Sequence, residues 1–97
     1  MEKWLIKLSE EDHNFIKKFV MASGSLKKLA KQYDVSYPTL RIRLDKLINK
    51  ITIIEDVEVK DPFKQKIKLL VAEGELSIYT AKDILKEYKK SKKEDLK

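Results

Sequence analysis

At 97 residues and with no cysteine, the chain is sized for one small domain or a domain with a short appendage, and disulfides, thiol catalysis and thiolate metal sites are excluded. Lys and Arg number 22 against 16 Asp and Glu, and the excess is concentrated: residues 1–51 hold 11 basic and 6 acidic side chains, residues 52–97 hold 11 and 10. No apolar run approaches the about 20 residues of a membrane span and the start lacks a signal-peptide core, so a soluble cytoplasmic protein with no membrane partner is expected.

Met1 to Leu8 is a short lead whose Trp4, beside Leu5, Ile6 and Leu8, suits packing on the domain more than stacking on a base. Ser9 and Asp12 have the spacing of a capping box. The helix they open carries Phe15, Ile16, Phe19 and Val20 on one face, and Ser23-Gly24 should end it. Ser25 can cap a second helix bearing Leu26, Leu29, Ala30 and Tyr33. Asp34-Val35-Ser36 breaks the pattern, Ser36 is the natural cap of a third helix, and Pro38 fits its first turn. Leu40, Leu44, Leu47 and Ile51 then recur at helical steps.

Residues 51–59 are ambiguous. Ile51, Ile53, Val57 and Val59 alternate roughly and are β-branched, and Glu55-Asp56 could turn between two strands of a wing. No Gly or Asn supplies the positive φ such turns prefer, so an extended linker is favoured over a wing. Asp61-Pro62 starts a helix with Phe63, Ile67, Leu70 and Val71 on its apolar face, and Gly74 ends it. Ser77 caps a last helix with Ala81, Ile84, Leu85 and Tyr88 on one side, and the short loop between them implies an antiparallel hairpin. Residues 89–97 are almost wholly charged and read as a flexible tail. The expected protein is all-α: a three-helix helix-turn-helix domain over 1–51, a linker or wing over 52–60, a helical hairpin over 61–88, and the tail.

Residues 25–47 carry the functional signal. A small residue, Ala30, permits close crossing of two helices, while Leu29, Val35, Leu40 and Leu44 fill the space between them. With Leu40 and Leu44 inward, Ile42, Asp45 and Asn49 point outward, flanked by Tyr37, Thr39, Arg41, Arg43 and Lys46. If this helix lies in a major groove, base contacts fall to Tyr37, Thr39, Arg41 and Ile42 near its start, since arginine pairs with guanine and isoleucine can meet a thymine methyl. Phosphate contacts fall to Ser25, Lys27, Lys28, Ser36, Arg43 and Lys46, helped by free amides at a helix N-terminus. The plainer alternatives stay beside these: solvated arginines, a Tyr37 packed on the domain, and an Asp45 that either accepts from cytosine or pairs with a basic neighbour. An exposed Ile42 suits an interface with nucleic acid or with protein.

Enzymatic readings lack residues. His13 is the only histidine, it sits in the first turn of a helix where a surface position is expected, and Gly24 and Gly74 are the only glycines. No catalytic site, metal site or cofactor is therefore expected.

The run from Leu8 to Leu47, and above all S-Y-P-T-L-R-I-R-L-D over Ser36–Asp45, resembles a bacterial helix-turn-helix family of unknown function whose longer members carry an N-terminal zinc ribbon. With no cysteine, this chain is similar to a ribbon-less form, and no zinc is implied. More loosely, the Ser-x-x-Thr-aliphatic opening resembles sigma-factor region 4 and response-regulator DNA-binding domains. Residues 69–86 resemble short bacterial C-terminal helical hairpins, which implies an interaction or oligomerisation element. The expectation is a transcriptional regulator that binds double-stranded DNA, with residues 61–88 as a candidate homodimer element. The alternative is a protein-interaction module that keeps the helix-turn-helix scaffold without binding DNA.

Overall fold

Every helix after the first begins where a short polar side chain takes up an orphan backbone N–H. In the computed structural model, which describes residues 2–56 and 61–95, six helices follow one another: α1 Lys3–Lys7, α2 Glu10–Met21, α3 Leu26–Tyr33, α4 Tyr37–Glu55, α5 Pro62–Ala72 and α6 Ile78–Asp95. No strand occurs among the described residues. The chain divides into two compact units, Met1–Glu55 and Asp56–Lys97.

In the first unit Ser9 caps α2, its hydroxyl accepting from the Asp12 N–H while the Asp12 carboxylate accepts from the Ser9 N–H. The helix ends through Ser23 and Gly24, both at positive φ. α3 and α4 cross around Leu29, Ala30 and Leu40, while Phe15 from α2 and Leu47 from α4 are also buried. Phe15, Leu29 and Leu40 are the largest fully enclosed side chains among the described residues. Two expected members fall outside this core. Val20 is 67% exposed because the buried arc of α2 centres on Phe15 and Ala22, and Val35, in the turn, is 38% exposed. Trp4 is half-buried on α1, which packs on α4, and His13 donates from Nε2 to the Leu5 carbonyl. His13 thus lies half-buried against α1, not at the surface.

Residues 52–55 correct the expected linker, because α4 continues to Glu55. The stripe Leu40, Leu44, Leu47, Ile51 gains a further member in Ile54, which is buried. Burial and the added helical hydrogen bonds outweigh the modest cost of β-branched residues in a helix, a few tenths of a kcal/mol each. The rest of the expected linker or wing, residues 57–60, lies outside the described residues.

A polar contact joins α4 to the start of α2 beside this core. Lys50 of α4, its side chain 9% exposed, donates to the Asp12 carboxylate at the start of α2. Burial works to raise the Asp12 pKa, but the Lys50 hydrogen bond and charge, with the Ser9 hydrogen bonds, outweigh it and hold it below 3.8.

In the second unit α5 and α6 pack together, with Ile67 and Ala81 buried. Asp61 joins their far ends. Its Oδ1 accepts from the Phe63 N–H at 2.9 Å, and its Oδ2 accepts from the Tyr88 hydroxyl at 2.7 Å and from Lys92 Nζ at 2.9 Å. Phe63 and Tyr88 stack with centroids 4.4 Å apart, and Lys92 lies 5.0 Å from the Tyr88 ring. This tether carries α6 past the expected end of order at residue 88, and the backbone is helical through Asp95. The Lys92 and Tyr88 hydrogen bonds hold the Asp61 carboxyl well below the usual carboxylate range. Hydrogen bonds to Tyr88 and Asp61 hold Lys92 above its ordinary value.

Two outcomes follow from these contacts. Asp12→Ala takes a carboxylate away from a buried ammonium and is expected to lower unfolding free energy by on the order of 3 kcal/mol in urea, whereas Lys50→Met, which fills the same space, is expected to cost distinctly less. Both carboxyls have depressed folded-state pKa values, so their contribution is present above the unfolded value near 3.8 and is lost as pH falls below it. Acid titration followed by NMR is expected to show the Asp61 carboxyl still ionised at pH 3, and Asp61→Asn to remove that part of the hairpin's acid sensitivity.

Candidate nucleic-acid interface

The turn between α3 and α4 is built from three residues. Asp34 ends α3 in the left-handed region, φ 54°, a conformation that Asp tolerates better than most residues. Its N–H and that of Val35 reach back to carbonyls of the last turn, Val35 to Ala30 at 3.0 Å. Ser36 then opens α4: its hydroxyl accepts from the Thr39 N–H at 3.3 Å and donates to Thr39 Oγ1 at 2.9 Å. Ser25 opens α3 in a similar way, its hydroxyl accepting from the Lys28 N–H at 3.2 Å.

With Leu40 enclosed, the start of α4 turns the opposite arc to solvent. Tyr37 is 52% and Ile42 60% exposed, and Thr39, Arg41 and Lys46 are exposed with them. Lys27, Lys28 and Ser36 are exposed and Ser25 is half-buried. Arg41 Nε lies 3.3 Å from Asp45 Oδ1 across one turn, with both side chains more than half exposed. Such a pair is worth about 0.3–0.5 kcal/mol, so Arg41 is readily recruited by a stronger acceptor. Of the two readings open for Asp45, pairing with a basic neighbour is the one present in the unbound chain.

Arg43 is placed differently from the rest of the set. Its guanidinium carbon lies 4.8 Å from the ring centroids of both Phe15 and Tyr33, and Nη2 lies 3.4 Å from Glu11 Oε1. The two rings are themselves stacked 5.9 Å apart, and Lys18 also sits 4.8 Å from the Tyr33 centroid. Guanidinium over aromatic faces is a packing arrangement, so Arg43 ties α4 to α2 and to the end of α3. Sequence reasoning missed Glu11, Phe15 and Tyr33 as its partners. The separation of 32 residues between Arg43 and Glu11 leaves no local pattern to read.

The inward side of α4 is not wholly covered by its neighbours. Ile48 is 48% exposed, and Phe15, Ile16, Phe19, Leu44, Leu47, Ile48 and Ile51 line an apolar groove of the first unit. No helix among the described residues is long and apolar enough to cross a membrane.

Residues 8–54 match the family described as a domain of unknown function, DUF2089, helix-turn-helix part. No curated protein and no solved structure matches the chain. The match begins at the buried Leu8, takes in the Ser9 capping box, the α3–α4 turn and the exposed arc of α4, and ends at Ile54, one residue before α4 does. Residues 8–54 of this chain are a DUF2089 helix-turn-helix domain of unknown function.

Proposed function

We propose that the first unit binds double-stranded DNA by laying the start of α4 in the major groove, and that the chain acts as a transcriptional regulator. The observation that carries this reading is the exposed arc of Tyr37, Thr39, Arg41 and Ile42 on a helix held by a helix-turn-helix crossing. Arg41 is the residue able to read a guanine, because its planar fork can exchange the weak Asp45 pair for two parallel hydrogen bonds. Thr39 retains a hydroxyl donor after accepting from Ser36, and Ile42 offers an apolar surface to a thymine methyl. Lys27, Lys28, Lys46 and the Ser25 hydroxyl supply phosphate contacts, which fix register without reading sequence, and Ser36 joins them by turning its hydroxyl hydrogen away from Thr39 Oγ1. Arg43 acts from behind, as the clamp that holds α4 at its angle. Domain assignment follows the same proposal: residues 1–55 bind DNA and the hairpin that starts at Asp61 pairs two copies, offering two reading helices one DNA turn apart.

The exposed apolar side chains Val35, Tyr37 and Ile42 favour one competing reading, a surface for a protein partner. Chemical-shift titration with duplex DNA separates the two. Perturbation at residues 25–28 and 37–46, weakening steeply with salt, is expected for DNA binding. A folded protein with no response there would sink the DNA reading and leave the protein partner.

Substitutions divide the two arginines. Arg41→Ala is expected to weaken binding to a selected site by about 1–3 kcal/mol, with a much smaller effect on random duplex and little change in Tm. Arg43→Ala is expected to lower Tm, measured without DNA. Asp45→Asn removes a charge that repels phosphate and frees Arg41, so affinity for random duplex is expected to rise, as fluorescence anisotropy would show.

A further inference from the structure

The second unit carries a charged feature that neither helix pairing nor the capping contacts use. Lys64 and Lys68 of α5 and Lys82, Lys86 and Lys89 of α6 line one groove, with Leu85 at its floor. No carboxylate contributes to that lining. Asp61 is taken by Tyr88 and Lys92, Glu87 Oε1 lies 3.8 Å from Lys90, and Asp83, between Lys82 and Lys86 in the chain, is not part of the lining. Among the described residues, none of the five lysines has an ion-pair partner.

Gathering five ammonium groups in one groove is repulsive even where solvent screens them, and an anion that spans them relieves the repulsion. We propose that this groove binds the phosphate backbone of duplex DNA, as a second, sequence-independent contact surface of the chain. The proposal rests on the reading of the chain as a DNA-binding protein, and deepens it. Three properties point to a phosphate backbone. The lysines recur at i, i+4 on α5 and at i, i+4 and i, i+7 on α6, about 6 Å of rise per four-residue step, so each helix offers a row of charge to a linear polyanion. Lysine is a point charge without the arginine fork, so it neutralises phosphate without reading a base. The lining offers a single apolar side chain, Leu85, and no aromatic residue that could seat in a lipid interface.

The test uses the full chain and a variant in which Lys64, Lys68, Lys82, Lys86 and Lys89 are all changed to Gln, with folding checked by circular dichroism. Glutamine keeps helix propensity, and the milder pair Lys68→Gln with Lys86→Gln serves if the fivefold variant is unstable. Binding to random-sequence duplex is measured by anisotropy across a salt series. Each phosphate neutralised contributes about −0.9 to the slope of log K against log salt, so the fivefold variant is expected to lose about 2–4 of that slope and at least about tenfold in affinity near 0.1 M salt. Residues 64–89 of the unaltered chain are expected to show amide shifts with DNA.

An unchanged slope with DNA still bound overturns the groove alone and leaves the reading helix standing. A lost slope in the fivefold variant, combined with no effect of Arg41→Ala, keeps the groove and overturns base reading by α4. Absence of any DNA binding by the full chain overturns both. Vesicles of equal parts phosphatidylcholine and phosphatidylserine are the remaining arm. Lysine-dependent binding to them, with the DNA slope unchanged, assigns the groove to a membrane surface and overturns the proposal.

Discussion

The close crossing of α3 on α4 is the constraint on which the first unit depends. Leu29 is wholly enclosed, Ala30 and Leu40 nearly so, and the small side chain at position 30 allows the helices to approach. A larger residue there would force the backbones apart, and overpacking of a tight core costs about 1–3 kcal/mol. Once Leu40 is fixed inward, the direction of every side chain on the first turns of α4 follows from the helical period. Exposure of Tyr37, Arg41 and Ile42 is therefore a consequence of packing on the opposite side.

Around that crossing, charged groups serve as structural ties. Lys50 reaches Asp12, which is already committed to the cap of α2, so one carboxylate closes a helix start and joins α2 to α4. Arg43 joins the same two helices from another point, through Phe15 and Glu11. The second unit repeats the device with Asp61, which caps α5 and holds Tyr88 and Lys92 of α6. In both units an aspartate at a helix start accepts from its own helix and from a distant cation. Small cores of this kind gain orientation from such ties at modest net energy: burial offsets much of the Lys50–Asp12 attraction, and solvent screens the exposed partners Glu11 and Lys92.

Signals confined to one helical turn were legible in the sequence. The Ser9–Asp12 box, the Ser25 cap, the Asp34–Ser36 break, Asp61-Pro62 and the inward Leu29, Ala30 and Leu40 each depend on neighbours within about four residues. The ties were not legible, since Lys50 and Asp12 are 38 residues apart, Arg43 and Glu11 32, and Lys92 and Asp61 31. The end of α4 was misread for a related reason. Ile51 and Ile53 favour strands by local propensity, but burial of Ile54 decides the matter through contacts the local pattern does not contain. Of the candidate interface, the exposed arc was readable from period alone, whereas the separation of Arg41 from Arg43 required the positions of Phe15 and Tyr33.

The Ser-x-x-Thr opening of α4 carries less functional weight than its place in a helix-turn-helix suggests. Ser77 and Thr80 make the same pair of hydrogen bonds at the start of α6, at 3.1 Å to the backbone N–H and 2.8 Å between hydroxyls. A helix outside the helix-turn-helix uses the same cap, so capping alone accounts for Ser36. What differs is the side chains that follow. α4 presents Arg41, whose fork can distinguish a base, on the arc with Ile42. α6 presents Lys82, Lys86 and Lys89, which carry charge but no such geometry. On the proposed reading, two helices with one capping device divide the work: one selects sequence, and the other holds phosphate wherever it lies.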